Sequence, residues 1–293
     1  MSQTTLSPLY SPLLVFMERT KHLVFSSFIL KIIAMAAVLS DHIAYAFITP
    51  SDPIYSYMRI FGRVAFALFA FFISEGVVKS RNKDRYLLRL LYLYLFMQVA
   101  IIAVNLFDSY YEFSNIFATL GASASALVYL EKRDWKKLYY LLPLVIISAI
   151  NLLVRYGQVN ELVIYAGDYN MYGIALIFGY YLARKVALWF LNRFPVLSDE
   201  GALLEVAEEN KRKQVIFNSA ASLSLLIITF IWYILSIFGL GLEGFELQSF
   251  ALLTIPLLLL YSGKLGHNSK PFRITYYLFF PVHLVILAII SYL

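Results

Sequence analysis

Cysteine is absent from this 293-residue chain, which excludes disulfides, a thiolate nucleophile and a cysteine-ligated metal. Histidine is sparse: four residues scattered far apart argue against a metal site, and no metal is expected. Charge is scarce as well. Only 14% of residues are Asp, Glu, Lys or Arg, against about 25% in a soluble domain, so the chain has too little polar surface to face water. No short apolar region followed by a small-residue cleavage site stands near the start, so no removable signal peptide is expected. Nor is there an internal repeat, which leaves an inverted-repeat transporter without support.

What is present is apolar. Hydrophobic residues make up 61% of the chain and the mean hydropathy is +0.73. Long apolar stretches recur along its length, which reads as an all-α polytopic membrane protein. The pattern predicts about nine transmembrane helices (range eight to ten), at 23–49, 55–78, 86–107, 113–130, 137–154, 162–183, 214–239, 248–263 and 274–293. The sixth, holding Gly167-Asp168-Tyr169-Asn170, is a candidate for a break. A modestly polar lead over 1–22 precedes a single transmembrane domain over 23–293, with a polar insert at about 195–214. That insert reads as an extension of span seven, with Ser198 or Asp199 available to cap a short helix.

Loop charge alternates. Lys79, Arg81, Lys83 and Arg85 follow span two; Lys132, Arg133, Lys136 and Lys137 follow span four. Arg184, Lys185, Arg193 and Lys211 to Lys213 lie between spans six and seven, and Lys264, Lys270 and Arg273 between eight and nine. The intervening loops carry Asp52, Asp108, Glu112, Glu161, Glu243 and Glu246, with Arg155 as their one basic residue. The positive-inside rule then predicts a cytoplasmic N-terminus and an external C-terminus in the cell (plasma or inner) membrane. The net charge of +6 is read as a topology signal, with no nucleic acid as partner and the lipid bilayer as the surroundings.

Against that background the first two spans stand out. Lys31, Asp41, His42, Arg59, Arg63 and Glu75 lie inside them, although an ionisable side chain costs at least about 2.5–3.5 kcal/mol at mid-bilayer. Lys31 and His42, eleven positions apart, return to nearly the same helix face about 16 Å apart along the axis. Asp41 points about 100° away from His42 and is expected to meet Arg59 or Arg63, which share a face of span two at the same depth. Gly62 between these arginines allows a close backbone approach. Glu75, nearer the inner end, is expected to meet Lys31 or Arg89. The charges thus sort into an outer tier of Asp41, His42, Arg59 and Arg63 and an inner tier of Lys31, Glu75 and Arg89. Two readings stand together: a functional site, with His42 suited by its ordinary pKa to proton transfer, or buried ion pairs that fix helix register. In the last span Tyr276, Phe280, His283 and Leu287 form one stripe, with Pro281 freeing the carbonyl of Tyr277. His283 there reads most simply as a hydrogen-bonded core histidine. In span four GASASA, from Gly121 to Ala126, reads as a close helix contact.

The strings LKIIAMAAVLSDHIAYAF, RIFGRVAFALFAFFISEG and RYLLRLL resemble the TraX family of integral membrane proteins. SNIFATLGASASAL, DYNMYGIALIFGYYL, FALLTIPLLLLYSGKLG and YYLFFPVHLVIL resemble later blocks of that family in the same order. The resemblance covers nearly the whole chain apart from the polar insert. Three positions depart from it: Ala67 where a proline is expected, Phe280 in place of a tyrosine, and Asn170 in place of a glycine.

The resemblance implies an acyltransferase, since the named family member acetylates the N-terminus of a conjugative pilin. Acetyl-CoA (acyl-CoA) would be the co-substrate. The acceptor would be an amine or hydroxyl at the outer face, on a pilin-like peptide or a cell-surface glycan or lipid. Catalytic candidates are His42 as base, with Asp41, Arg59 and Arg63 orienting the site and steadying an oxyanion. Supporting candidates are Lys31, Glu75, His283 and Tyr172, and Arg85, Arg89, Lys79 and Lys264 are candidates for the CoA phosphates. The acyl arm is expected between spans one, two and nine. The rival readings are a transporter using Lys31, Glu75 and His283 as a proton relay, and a non-catalytic partner of a conjugation or secretion apparatus.

Overall fold

The computed structural model describes residues 23–107, 114–193, 202–240 and 245–292. Among them the apolar runs fold as helices at every predicted span. These are α1 (Ser27–Phe47), α2 (Pro53–Lys79), α3 (Lys83–Phe107), α4 (Ile116–Lys132), α5 (Trp135–Tyr156), α6 (Asn170–Arg193), α7 (Ala202–Ile237), α8 (Phe245–Leu259) and α9 (Lys270–Tyr292). Seven of these are long and apolar enough to cross a bilayer: all but α4 and α8. The protein is an all-α, multi-pass membrane protein.

Among the described residues helices stand at all nine expected positions, but two of them, α4 and α8, are shorter than a bilayer crossing needs. At 1.5 Å per residue the 17 residues of α4 fall short of the roughly 30 Å hydrocarbon core. In α8 the helix changes to a 3₁₀ turn over Ser249–Thr254 before Pro256 restarts an α-turn. Both are tolerable because the other helices surround them: most of α4 is buried, and Thr254 donates to the Val64 carbonyl at 3.4 Å.

Local chemistry sets the boundaries. Ser26 accepts from the Ile29 amide to cap α1, and Asp52 accepts from the Ile54 amide ahead of Pro53 at the first position of α2. Helix α2 is the hub, buried almost without interruption from Val64 to Val77 and packed on α1, α4, α6 and α8. Ala65, Ala67 and Ala70 supply the small surfaces that let these neighbours approach. With Ala67 where the resemblance expects proline, α2 runs through this point as continuous helix.

Span six begins later than predicted, at Asn170, because the chain breaks over 166–169. Neighbouring side chains satisfy the freed backbone. Asn151 accepts from the Gly167 amide at 2.9 Å, Thr119 donates to the Asp168 carbonyl at 2.6 Å, and the Asn115 amide bonds the Ala166 carbonyl at 3.0 Å. Asn170 has φ +44°, a left-handed conformation that asparagine tolerates, which accounts for its standing in place of glycine.

At the other end, residues 25–28 run beside 260–265 in a short backbone pairing, with Ser27 N to Lys264 O at 2.8 Å and Ser262 N to Phe25 O at 2.8 Å. This ties the entrance of α1 to the α8–α9 connection. The latter part of the polar insert, from Ala202, continues directly into α7. The lead over 1–22, the cap candidates Ser198 and Asp199, and the acids Asp108, Glu112 and Glu243 lie outside the described residues.

Candidate functional site

Helices α1 and α2 form an antiparallel hairpin, so residues near the end of α1 meet those near the start of α2. Asp41 receives two guanidinium groups there. Arg59 Nη1 lies 3.1 Å from Asp41 Oδ1, and Arg63 Nη2 donates to the same oxygen. Gly62 makes this possible: a Cβ on it would sit 2.7 Å from Asp41 Cγ. Asp41, Arg59 and Arg63 are therefore assembled as expected. Arg63 also reaches beyond the pair, with Nη1 3.4 Å from Gln248 Oε1 of α8. Gln248 in turn stands beside Tyr172, whose hydroxyl is 3.1 Å from Thr229 of α7. Gln248 thus stands between Arg63 and Tyr172. Asp168 and Tyr169, from the break before α6, complete the electrostatic surroundings of Arg63, and the Tyr169 ring stacks on Phe66 at 3.7 Å.

His42 points away from Asp41 toward α9. Its Nδ1 lies 2.8 Å from Nε2 of His283, and the two rings stack with an interplanar angle of 9°. His283 Nδ1 lies 2.8 Å from the Phe279 carbonyl. A carbonyl accepts only, so His283 Nδ1 carries the proton and its Nε2 in the neutral ring is an acceptor. His42 must then donate through Nδ1, which makes His42 Nε2 the unprotonated nitrogen. His283 is the buried, hydrogen-bonded histidine that the sequence reading expects, and the bond it accepts sets the tautomer of His42.

The inner tier is arranged differently from expectation. Glu75 pairs with Lys79 at 2.7 Å, one helical turn on, and accepts from the Tyr261 hydroxyl at 2.8 Å. Arg89 is not its partner; it is exposed and lies over the Tyr86 ring. Lys31 places Nζ over the rings of Tyr276 (4.9 Å) and Phe72 (5.5 Å), with Glu75 as its electrostatic neighbour.

Between the tiers lies a cavity of about 210 Å³ bounded by α1, α2, α3, α4 and α9. Lys31, Glu75 and Lys79 stand at one end, Met35, Phe69 and Phe72 line its wall, and Phe280 closes the other end. The Phe280 ring is packed edge-on against both His42 (6.0 Å) and His283 (5.3 Å). One phenyl ring therefore separates the cavity from the histidine pair. Of the four candidate phosphate ligands, Lys79 lines this cavity and Lys264 lines a neighbouring cleft. Arg85 and Arg89 line neither, because α3 turns Tyr86, Leu90 and Leu93 inward and carries both arginines on its exposed flank.

Sequence reasoning passed over Gln248, Tyr169 and Tyr261. Each sits in or beside a break, where a polar residue reads as loop. The available signal was the break itself, since irregular backbone at membrane depth is tolerated where it is buried in protein or lines a cavity.

The profile of the TraX protein family matches residues 26–291. The Dichelobacter nodosus protein described as "Probable fimbrial assembly protein FimC, serogroup H1" is 33% identical over 117 residues, 37% of this chain and 48% of that relative. The chain thus spans about half the length of the curated relative it matches. No solved structure matches. With agreement running from the cap of α1 to the last turn of α9, the chain belongs to the TraX family.

Proposed function

We propose that this protein is a membrane-embedded acyltransferase that moves an acetyl group from cytoplasmic acetyl-CoA to an amine or hydroxyl at the outer face. The observation that carries the reading is the apolar cavity between α1, α2 and α9, which ends one ring away from a histidine whose bare nitrogen is fixed by hydrogen bonding. The family and the fimbrial relative support a pilus-related acceptor, such as the N-terminal amine of a pilin-like peptide; a cell-surface glycan or lipid hydroxyl calls for the same chemistry. Loop charge supports a cytoplasmic N-terminus, which puts Lys79 and Lys264 at the inner side and the arginine cluster at the outer.

In this mechanism the acyl arm enters past Lys79 and Lys31 and extends toward Phe280. The acceptor arrives from the other side, beside Arg59 and Arg63. His42 Nε2 takes the acceptor's proton as its nitrogen or oxygen attacks the thioester carbonyl. Arg59 and Arg63, held by Asp41, lie within electrostatic reach of His42 and stabilise the developing oxyanion. Collapse of the tetrahedral intermediate breaks the C–S bond. The thiolate leaves with the proton from His42, which restores the free base. His283 keeps Nε2 as the reactive nitrogen throughout.

The test uses purified protein in nanodiscs with acetyl-CoA, following free CoA in the wild type and in His42→Ala. Release that disappears in the variant is the expected result. Full transfer by His42→Ala at normal expression, or no binding of acetyl-CoA by the wild type, would overturn the proposal.

A further inference from the structure

A second cleft, of about 730 Å³, opens at the same end of the bundle as Lys79. Its chemistry is the opposite of the apolar cavity's. Arg184 of α6, Lys211 and Lys213 of α7, and Lys264 of the α8–α9 connection line it, and among the described residues its lining holds no carboxylate. Arg184, Lys211 and Lys264, from three different elements, face one space and make an anion site by composition.

The cleft is also built. Arg184 lies over the Phe217 ring at 4.9 Å, and its buried Nε finds no acceptor among the described residues. The lip is pinned: Ser262 binds the Phe25 backbone through both its amide and its hydroxyl, at 2.8 and 2.9 Å. Gly263 turns with φ +72°, and a Cβ there would collide with Gln214, which Asn218 holds in place by a 2.7 Å bond. Asn218 is anchored to the Tyr261 carbonyl, also at 2.7 Å.

The two spaces share this lip as a wall. Gly263 and Lys264 line the basic cleft, whereas the next residue, Leu265, lines the apolar cavity. Lys79, in the cavity lining, reaches across to the Gly263 carbonyl at 3.4 Å. A ligand spanning both would have a polyanionic head and a slender uncharged arm.

We propose that the Arg184–Lys211–Lys264 cleft binds the phosphate groups of such a ligand, specifically the adenosine bisphosphate end of acyl-CoA, with the arm passing Lys79 into the cavity. The anion site stands on the cleft alone; naming acyl-CoA rests on the acyltransferase reading. It moves the head group away from Arg85 and Arg89.

The experiment measures binding of adenosine 3′,5′-bisphosphate and of acetyl-CoA to the full chain in phosphatidylcholine nanodiscs. Arg184→Gln combined with Lys264→Gln should weaken both by roughly tenfold or more, as loss of charge-assisted bonds implies. Arg184→Lys, which keeps the charge, should retain part of the affinity, and Arg85→Gln with Arg89→Gln should match the wild type. Unchanged binding in the first double variant, or equal loss in the second, would overturn the assignment. A phosphate of lipid origin is tested in nanodiscs containing phosphatidylglycerol. If the lipid binds in an Arg184-dependent way and the nucleotide does not, the head-group assignment falls. Wild-type CoA release that persists unchanged in Arg184→Gln/Lys264→Gln overturns this inference and leaves the acyltransferase reading standing. Arg184-dependent bisphosphate binding without acetyl-CoA binding overturns the acyl-CoA assignment together with the acyltransferase reading and leaves the anion site standing.

Discussion

Replacing His283 by leucine removes one acceptor and leaves the shape of the bundle nearly unchanged. His42 would then carry a buried Nδ1–H with nothing to receive it, and an unsatisfied buried donor costs about 1–3 kcal/mol. The ring would escape that cost by rotating or by moving its proton to Nε2, and either escape removes the bare nitrogen that attack requires. At 1.36 kcal/mol per tenfold, the turnover of acetyl-CoA should fall by roughly 5- to 150-fold. The KM for acetyl-CoA should stay near the wild-type value, because His283 lies behind Phe280 and outside the cavity lining. His283→Gln is the informative companion: its amide oxygen can accept from His42 and should recover much of the rate. The assay is initial-rate CoA release in nanodiscs, with size-exclusion profiles confirming that the variants fold. A His283→Leu protein within twofold of wild-type turnover would refute the tautomer argument, as would a glutamine variant no better than the leucine one.

Gly62→Ala should disrupt the outer cluster, since the new methyl would overlap the Asp41 side chain. Overpacking of this kind costs about 1–3 kcal/mol, read as a lower thermal midpoint in detergent together with lost CoA release; an unchanged midpoint and rate would count against the packing described. Tyr261→Phe deletes the 2.8 Å bond to the buried Glu75 carboxylate while Lys79 stays in place. The expected destabilisation is about 1.5–3 kcal/mol by thermal unfolding, and a loss below about 0.5 kcal/mol would mean that the hydroxyl is not a partner of Glu75.

The outer tier was legible because its geometry is local. A helical hairpin puts the end of one span level with the start of the next, and the spacing of Arg59 and Arg63 puts both on one face, so Asp41 had few other partners. The His42–His283 pair joins residues 241 apart, and no periodicity within one helix states which distant helix becomes its neighbour. Glu75–Lys79 was visible as a one-turn pair, but Lys79 had been assigned to the inner-loop charge. Arg85 and Arg89 were drawn to the phosphates by sign alone. The inward run of Tyr86, Leu90 and Leu93 already placed those arginines on the outer flank, so the helix period outweighs the charge. Breaks in α8 and before α6 concealed Gln248 and Tyr169, because propensity cannot separate a buried interruption from a loop.

The wall of the apolar cavity also bears on the rival reading of a proton relay through Lys31, Glu75 and His283. A relay needs polar atoms or water at hydrogen-bond spacing along its length, and a water needs two or more polar partners to be held. Lys31 and the histidine level are separated by about 16 Å of α1, and the cavity between them is faced by Met35, Phe69, Phe72, Leu120 and Phe279. The last barrier is Phe280, where the resemblance expects a tyrosine; its phenyl ring offers no hydroxyl to pass a proton on. A surface of this kind strands a proton but suits a neutral, flexible chain that must shed water before its carbonyl is attacked. On the proposed acyltransferase reading, the charges at the two ends would serve different partners. Those near Lys79 would meet the anionic head that stays outside, and those around Asp41 would meet the acceptor and the oxyanion. Only the short stretch at Phe280 would then have to open for the two halves to react.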